Sequence, residues 1–426
     1  MRKAAVHLLD IALIFIMNAF LLNLPIAIST ISSLIIYLGI YSFRVYDTQT
    51  MKSYTESLIK TTVGTLISFI LILILYFFLN KYFNRYFFLY NLLFTIIILP
   101  ILHKIEYKIY EKSMPVKNYL VIGKQEEIGH IMQEISEKTL HKIRFTQYIN
   151  PNPTTLDKII KQNGQTTSHI IHGIVITDPE LEKSVKPQIQ NYKEEGMDIE
   201  YLPNMAEKYL NRIPIEVAQK FKEYYEVIFN NVTEHPSKRF LDIIISSIAL
   251  AILSPVILIL SIIILIEDGK PVVYKQQRIG LKEEKFTMHK FRSMKNRTDQ
   301  NEVKFATDEQ DRILKIGKII RPIRLDEILQ FYDILIGKMS FVGPRPEQIQ
   351  LVEEYNELIP FYWARHKLKP GLTGWAQIMY KYSASLEETK MKLSYDLYYI
   401  KNRDIFLDLN IIIKTIEAVF WRRGAV

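Results

Sequence analysis

The 426-residue sequence contains no cysteine. This absence excludes disulfide bonds, thiolate metal sites and cysteine nucleophiles. Glycine is sparse as well, with 15 residues, and no G-x-G-x-x-G fingerprint follows any predicted strand, which argues against a dinucleotide site. The chemistry of this chain must therefore come from other groups, chiefly carboxylates and basic side chains.

The composition indicates a protein with membrane and cytosolic parts. A hydrophobic content of 49% and a mean hydropathy of +0.05 are too high for a wholly soluble chain, whereas 23% charged residues exclude a chain lying entirely in lipid. The formal net charge of +9 suits nucleic acid, an anionic membrane surface or anionic substrates. Long apolar runs favour membrane lipid and anionic substrates, and we expect no nucleic acid partner.

Residues 1–112 are predicted to form four transmembrane helices at 6–22, 25–41, 63–79 and 87–102. Each apolar stretch is near the lower length limit for crossing a bilayer. The first could instead be a cleavable signal peptide, but no small-x-small cleavage site follows it. Lysine and arginine are concentrated at the ends that flank the first and last stretches, so both ends are expected in the cytoplasm.

Residues 113–233 are predicted to form a Rossmann-like α/β domain. Strand-like segments at 118–123 and 173–178 are each followed by a helix-like segment. Gly123 ends the first strand and Gly129 follows, but these glycines are too few to let a backbone approach a pyrophosphate. We therefore expect this domain to lack a dinucleotide site.

Residues 240–266 are mostly apolar and are interrupted by Ser254 and Pro255. A fifth transmembrane helix is one interpretation. However, basic residues flank both ends, so the charge rule gives no reason to cross. Pro255 leaves the Ala251 carbonyl without its helical donor, which kinks or reverses a helix. We predict a re-entrant helix with its break at Ser254 and Pro255.

Residues 234–426 are predicted to form the third domain, in which residues 270–426 are a compact cytosolic α/β domain at the membrane surface. The whole chain is thus predicted to be a membrane α plus α/β protein. All three tryptophans, Trp363, Trp375 and Trp421, fall in this region. Tryptophan is common in protein cores and also in the headgroup layer of membranes. Both placements remain open from the sequence.

Asp326 and Glu327 form a carboxylate pair in a region rich in basic residues. Apolar residues recur after them at helical spacing until Gly337, so the pair is predicted to open a helix. The N-terminus of a helix also attracts phosphate. Phosphate-holding candidates are Lys290, Arg321 and Arg345, the last aimed by two flanking prolines; second candidates are Arg278, Arg292, Arg365 and Asp396.

Several motifs occur in a recognisable order: QQRIG (276–280), KFRSM (290–294), LDE (325–327), FVGPRPE (341–347), KPGLTGWAQ (369–377) and YDLYYI (395–400). From about residue 238 onward the chain strongly resembles the bacterial sugar transferases. These are membrane phosphoglycosyl transferases that move a sugar 1-phosphate from a nucleotide sugar onto polyprenyl phosphate. Larger members of the family also have a middle domain, which is linked to regulation or assembly.

The resemblance implies a role for each acid. Asp326 would attack the β-phosphate to form a covalent sugar-phosphoryl intermediate, and Glu327 would bind Mg²⁺. The expected reaction uses a UDP-sugar and undecaprenyl phosphate, releases UMP and starts an exopolysaccharide, capsule or O-antigen. It further implies a multi-pass protein of the bacterial inner membrane, a catalytic domain facing the cytoplasm, and homo-oligomers or polysaccharide assembly proteins as partners.

The sequence departs from the family pattern at Leu329, Asp333 and Lys338 and after Gln377. These departures lie where we expect contacts with the sugar or the nucleotide base, so the identity of the sugar stays open. An alternative function is a non-catalytic membrane scaffold, or a regulator that senses a nucleotide through the middle domain. A nicotinamide-dependent oxidoreductase is disfavoured by the missing glycine fingerprint.

Overall fold

The computed structural model describes residues 3–79, 83–113, 115–150, 153–164, 171–234, 236–295, 312–380 and 385–420. The chain is mostly helical and separates into two compact units. One unit comprises Met1–Pro115 and Ile412–Glu417, and the other comprises Val116–Ile411 and Ala418–Val426. The division into three domains stays a prediction.

The first unit is made of helices. The π-helical turn Met17–Leu21 extends the first helix, Lys3–Ile16. A second π-helical turn, Phe94–Ile98, joins the helix Arg85–Leu93 to the helix Leu99–Ser113. The segments Tyr54–Leu75 and Arg85–Ser113 are long and apolar enough to cross a membrane, whereas Val6–Leu21 and Ile26–Ser42 are shorter apolar helices. The helices are α1 (Lys3–Ile16), α2 (Ile26–Ser42), α3 (Thr48–Lys52), α4 (Tyr54–Leu79), α5 (Arg85–Leu93) and α6 (Leu99–Ser113).

Helices α2 and α4 approach each other closely because each has a glycine at the crossing point. A Cβ atom on Gly64 would lie 2.7 Å from the Gly39 carbonyl oxygen and 2.8 Å from Ile40 Cα. The Ser68 hydroxyl bridges the same crossing by donating to the Ile35 carbonyl at 3.0 Å. Small residues at this contact let the two backbones touch, as is common between helices in membranes.

The middle of the chain forms a parallel four-stranded sheet in the order β2-β1-β3-β4. This confirms a parallel α/β region, while its Rossmann-like assignment stays a prediction. The strands are β1 (Lys117–Ile122), β2 (Ile143–Ile149), β3 (Gly173–Ile176) and β4 (Asp198–Tyr201). The helices are α7 (Gln125–Lys138), α8 (Pro153–Gly164), α9 (Pro179–Lys183), α10 (Lys186–Glu194), α11 (Leu202–Leu210), α12 (Ile215–Lys220) and α13 (Lys222–Asn230).

Gly123 serves packing within this sheet. The Thr177 hydroxyl donates to the Ile122 carbonyl at 2.7 Å, and a Cβ on Gly123 would lie 1.9 Å from that hydroxyl oxygen. At the same carboxyl edge, the Lys220 ammonium pairs with Glu127 and lies 3.3 Å from Asp178. The chain's own side chains thus bridge the strand ends where open parallel sheets bind ligands.

Helix α14 (Pro236–Asp268) runs for 33 residues and contains Pro255. The helix continues through the predicted break, so the expected interruption at Ser254 and Pro255 is not observed. The Ser254 hydroxyl donates to the Ala251 carbonyl at 2.8 Å, which supplies the hydrogen bond that Pro255 cannot make. The re-entrant path through the membrane stays a prediction.

The rest of the second unit combines two small sheets with short helices. Strands β5 (Val273–Ile279) and β6 (Lys285–Phe291) are antiparallel, and β7 (Ser340–Val342) and β8 (Gly371–Thr373) are parallel. The helices are α15 (Lys315–Ile320), α16 (Gln330–Leu335), α17 (Ile349–Leu358), α18 (Trp375–Met379) and α19 (Leu386–Asn402), and the last helix, α20 (Ile405–Phe420), has residues assigned to both units. Within the described residues, 3₁₀ turns lie at Leu281–Glu283, Leu325–Glu327 and Tyr362–Lys367.

Both ends of α14 are bound to these elements. Near its start, the Asp242 carboxylate accepts from the Phe341 backbone N–H at 2.8 Å and from the Ser340 hydroxyl at 3.1 Å. Near its end, the Glu267 carboxylate accepts from the Ile316 backbone N–H at 3.0 Å. A helix of this length spans about 50 Å, and residues near both of its ends are hydrogen-bonded to other elements of the second unit.

The tryptophans occupy different environments. Trp375 is buried, and its indole N–H donates to the Asn211 carbonyl at 2.9 Å, so it belongs to the core. Trp363 is half-buried, with the Lys367 ammonium 5.2 Å from its ring centre. Trp421 lies outside the described residues.

We expect Gly64→Val to destabilise the helical bundle by about 1–3 kcal/mol, because the new side chain would collide with the backbone of α2. Thermal unfolding of the purified protein in detergent measures this loss. Ile70→Val, which trims a side chain that is 60% exposed on the same helix, is the matched control. Equal stability of Gly64→Val and wild type would contradict the close helix crossing.

Candidate active site

The two acids lie in the 3₁₀ turn Leu325–Glu327, which follows a left-handed residue. Arg324 has a φ of 56° and caps this turn. Helix α16 begins at Gln330 and is six residues long, and Gly337, with a φ of 84°, follows it. The prediction that the acids open a helix was therefore wrong in detail, and side-chain charges rather than a helix dipole set the electrostatics here.

Glu327 is buried under three cations. Its carboxylate accepts from Lys290 Nζ at 2.8 Å, from Arg345 Nη2 at 3.3 Å and from Arg324 Nη1 at 3.3 Å, while the residue is only 6% exposed. Burial alone would raise the pKa of Glu327, but the charges of Lys290, Arg345 and Arg324 outweigh burial and hold that pKa well below its usual value. Glu327 is therefore ionised at every physiological pH.

Asp326 has the opposite environment. It is half-buried and forms no ion pair with any described residue. Burial, followed by the neighbouring Glu327 charge, raises the pKa of Asp326 to about 6, although Lys290 and Arg321 act in the other direction. A carboxylate with a raised pKa and no cation in direct contact is a stronger nucleophile than one held in a salt bridge.

Arg321 has a free donor beside this acid. It follows α15, and its backbone N–H donates to the Gly317 carbonyl at 3.1 Å. The Arg321 Nη1 atom is buried and has no hydrogen-bond partner within the described ranges. A buried guanidinium nitrogen without an acceptor suits an anionic group that is absent here, such as a phosphate oxygen.

Backbone hydrogen bonds between two glycine-containing turns position Arg345. The Gly343 N–H donates to the Thr373 carbonyl at 2.9 Å, and the Gly371 N–H donates to the Pro344 carbonyl at 2.9 Å. These bonds extend the β7–β8 pair into the Gly-Pro-Arg-Pro turn, which joins the FVGPRPE and KPGLTGWAQ motifs. The rigid turn predicted from the two prolines is thus held by the second motif.

Arg365 and Asp396 lie behind Arg345. Arg365 Nη2 donates to the Arg345 carbonyl at 3.0 Å, and its Nε donates to Asp396 at 2.9 Å. Both side chains are almost fully buried. They hold the backbone of Arg345 rather than reaching toward the carboxylate pair.

A further acid, Glu347, belongs to this supporting layer. Burial raises the pKa of Glu347, but the charges of Lys392, at 2.8 Å, and Arg365 outweigh burial and lower that pKa to about 2. His366 is also buried, and burial together with the Arg365 charge lowers its pKa to about 3. A histidine that stays neutral under these conditions is a poor proton carrier at physiological pH.

Two of the second candidates form no hydrogen bond or ion pair with the two acids in the described part of the chain, although the Glu327 charge acts on Arg278. The Arg292 guanidinium donates to the Asp268 and Gly269 carbonyls at 2.7 and 2.8 Å, so it caps the end of α14. Arg278 Nη2 donates to Gln276 at 2.8 Å, while Arg278 Nε is buried without a partner among the residues described. The structure brings Lys290, Arg321 and Arg345 to the acids and gives Arg292 a structural position.

Comparison with known proteins identifies the family of this chain. Residues 233–422 match the family model described as bacterial sugar transferase. The exopolysaccharide production protein PSS of Rhizobium leguminosarum bv. phaseoli is 36% identical over 191 residues, which are 43% of this chain and 96% of that protein. The chain belongs to the bacterial sugar transferase family.

Other relatives of this sugar transferase are longer than the matched segment. The UDP-N-acetylgalactosamine-undecaprenyl-phosphate N-acetylgalactosaminephosphotransferase of Aeromonas hydrophila is 41% identical over 188 residues, 44% of each chain. The UDP-glucose:undecaprenyl-phosphate glucose-1-phosphate transferase of Klebsiella pneumoniae is 40% identical over 190 residues, 44% of this chain and 41% of that protein. The match thus spans less than half the length of these two relatives.

Sequence reasoning missed Arg324 and expected a different environment for Asp333. Arg324 stands three residues before Glu327, and that spacing was the available signal for their ion pair. Asp333, expected near the sugar or base, is fully buried and accepts from His289 Nδ1 at 2.6 Å and from the His289 backbone N–H at 2.9 Å. This departure from the family pattern therefore fastens α16 to β6.

The amide variants Asp326→Asn and Glu327→Gln should change stability in opposite directions at pH 8. The folded state raises the pKa of Asp326 from 3.8 to about 6, so ionised Asp326 destabilises folding, and Asn should stabilise the protein by about 1–3 kcal/mol. That gain is full above about pH 6 and vanishes below about pH 4.

Glu327→Gln removes a buried carboxylate from three half-buried cations and should destabilise the protein by about 3 kcal/mol. Thermal or chemical unfolding of both variants and the wild type at pH 8 measures these differences. A loss of stability in Asp326→Asn at pH 8 would contradict the environment assigned to Asp326.

Proposed function

We propose that this protein transfers a sugar 1-phosphate from a nucleotide diphosphate sugar to polyprenyl phosphate. The proposal rests on the different environments of two neighbouring acids. Asp326 is half-buried and forms no ion pair with any described residue, whereas three cations bind Glu327. The names of the Aeromonas and Klebsiella relatives include a UDP-sugar and undecaprenyl phosphate. We therefore propose a UDP-sugar as donor and undecaprenyl phosphate as acceptor.

The reaction proceeds in two displacements. An Asp326 carboxylate oxygen attacks the β-phosphorus of the donor, and the bond from that phosphorus to the bridging oxygen breaks, so that UMP leaves with the electron pair. A phosphate oxygen of the lipid then attacks the same phosphorus and returns Asp326 to its carboxylate form. Two displacements let a bulky lipid phosphate arrive after the nucleotide has left.

The cations around the acids bind and orient the phosphates. Arg345 and Lys290 bind Glu327, and the charge of Arg321 acts on Asp326. Arginine suits bidentate phosphate contacts, and lysine supplies a point charge. Together they stabilise the negative charge that develops on the transferred group.

The proposed setting is the cytoplasmic face of the bacterial inner membrane. There, we propose that α14 enters and leaves the inner leaflet, and the hydrogen bonds of Asp242 and Glu267, near its two ends, to elements of the same unit support this path. The PSS relative is named for exopolysaccharide production, and we propose that this reaction begins an exopolysaccharide, capsule or O-antigen repeat. Homo-oligomers and polysaccharide assembly proteins are the proposed protein partners.

The test is UMP release by the purified full-length protein with undecaprenyl phosphate and a panel of UDP-sugars. We expect turnover with at least one donor and its loss in Asp326→Ala, because the nucleophile is gone. Lys285→Ala, an exposed change on β6, controls for handling. Binding of donors without turnover would favour the scaffold alternative, and turnover that survives Asp326→Ala would reject the assigned nucleophile.

The pH dependence of the first displacement should follow Asp326. Only the carboxylate form attacks phosphorus, and the pKa of Asp326 is raised to about 6, so the rate should rise as pH increases through about 6 and then level off. Single-turnover UMP release between pH 4.5 and 8.5 measures this. A rate that stays constant down to pH 4.5 would contradict it.

A further inference from the structure

Both carboxylate oxygens of Glu327 are occupied by the protein itself. Within the described ranges, Lys290 and Arg345 donate to Oε1 and Arg324 donates to Oε2. No group of three or more histidine and acidic side chains that could hold a metal is present in the described part of the chain. The site as it stands does not fit a resident divalent cation.

The charges around the dyad oppose a metal as well. Two carboxylates lie among the four cationic side chains of Lys290, Arg321, Arg324 and Arg345, three of which bind Glu327 directly. An Mg²⁺ ion would have to displace arginine or lysine from Glu327 and then lie among positive charges. Mg²⁺ also keeps most of its water and is usually held by one or two carboxylates together with substrate phosphates.

We propose that Glu327 is not a metal ligand in the substrate-free protein, and that a divalent cation enters only with the diphosphate of the donor. The diphosphate supplies the negative charge that draws the basic side chains away from Glu327. This inference rests on the proposed function, because it takes a nucleoside diphosphate group as the ligand that opens the site.

Arg324 is the residue that controls this access. Lys290 is fixed in strand β6, and the backbone of Arg345 is held by Arg365 and two prolines. The Arg324 side chain is 28% exposed and, among the described residues, is the donor to Oε2, so its withdrawal from Glu327 would free that oxygen without disturbing the sheet. We assign Arg324 as a positioning residue that keeps the metal site closed until the diphosphate arrives.

Direct binding of Mn²⁺, a paramagnetic substitute for Mg²⁺, tests this in the full-length protein in detergent. Electron paramagnetic resonance of free Mn²⁺ should show no stoichiometric binding to the wild type alone, and about one bound ion per chain after UDP is added. Because UDP itself binds Mn²⁺, the UDP titration is repeated with Glu327→Gln, in which the protein-dependent fraction should be lost.

Arg324→Ala should bind Mn²⁺ without nucleotide at least about tenfold more tightly than wild type, because one opposing charge is removed and Oε2 is free. Lys285→Ala removes a positive charge from β6 that does not touch Glu327 and should leave Mn²⁺ binding unchanged. If Arg324→Ala does not fold, the wild-type titration still decides the proposal, and Arg324→Lys should keep the weak binding.

Tight stoichiometric Mn²⁺ binding to the wild type without nucleotide would overturn the inference, as would equal effects of Arg324→Ala and Lys285→Ala. These outcomes are separate from the test of the proposed function. A protein that releases UMP from a UDP-sugar yet binds Mn²⁺ tightly on its own would retain the function and lose the inference.

Discussion

The burial of the Glu327 carboxylate beneath three cations is the interaction on which the site depends. Lys290 comes from β6, Arg324 from the turn before the acids, and Arg345 from the Gly-Pro-Arg-Pro turn. An isolated buried carboxylate is strongly unfavourable, so these elements are stable in this arrangement only together. One acid thus links three segments that are up to 55 residues apart in the chain.

The same cluster separates the chemistry of two neighbouring acids. The cations hold the pKa of Glu327 far below that of a free carboxyl, while burial and the Glu327 charge raise the pKa of Asp326. Two adjacent carboxyl groups therefore differ in pKa because the charged groups around them differ. This division gives one fixed charge and one reactive group at the same place.

The sequence motifs predicted the residues that meet at the acids, but not how they are held. Lys290, Arg321 and Arg345 were found because their motifs keep a recognisable order. Arg324 was missed because a left-handed arginine and the side-chain direction it produces cannot be inferred from composition. Arg365 acts through the Arg345 carbonyl, and such tertiary contacts have no periodic signal. Likewise, Pro255 correctly marked a missing donor, while the Ser254 hydroxyl that compensates for it depends on a rotamer.

The anchoring of α14 has a practical consequence. Its Asp242 carboxylate binds Ser340 and Phe341, which stand five and four residues, respectively, before Arg345 in the strand that leads into its turn. A soluble fragment made by trimming the apolar segment would lose this support and would also expose the polar backbone that Asp242 covers. The hydrophobic helix is thus a structural part of the phosphate-binding turn, and solubility cannot be gained by removing it without loosening that turn.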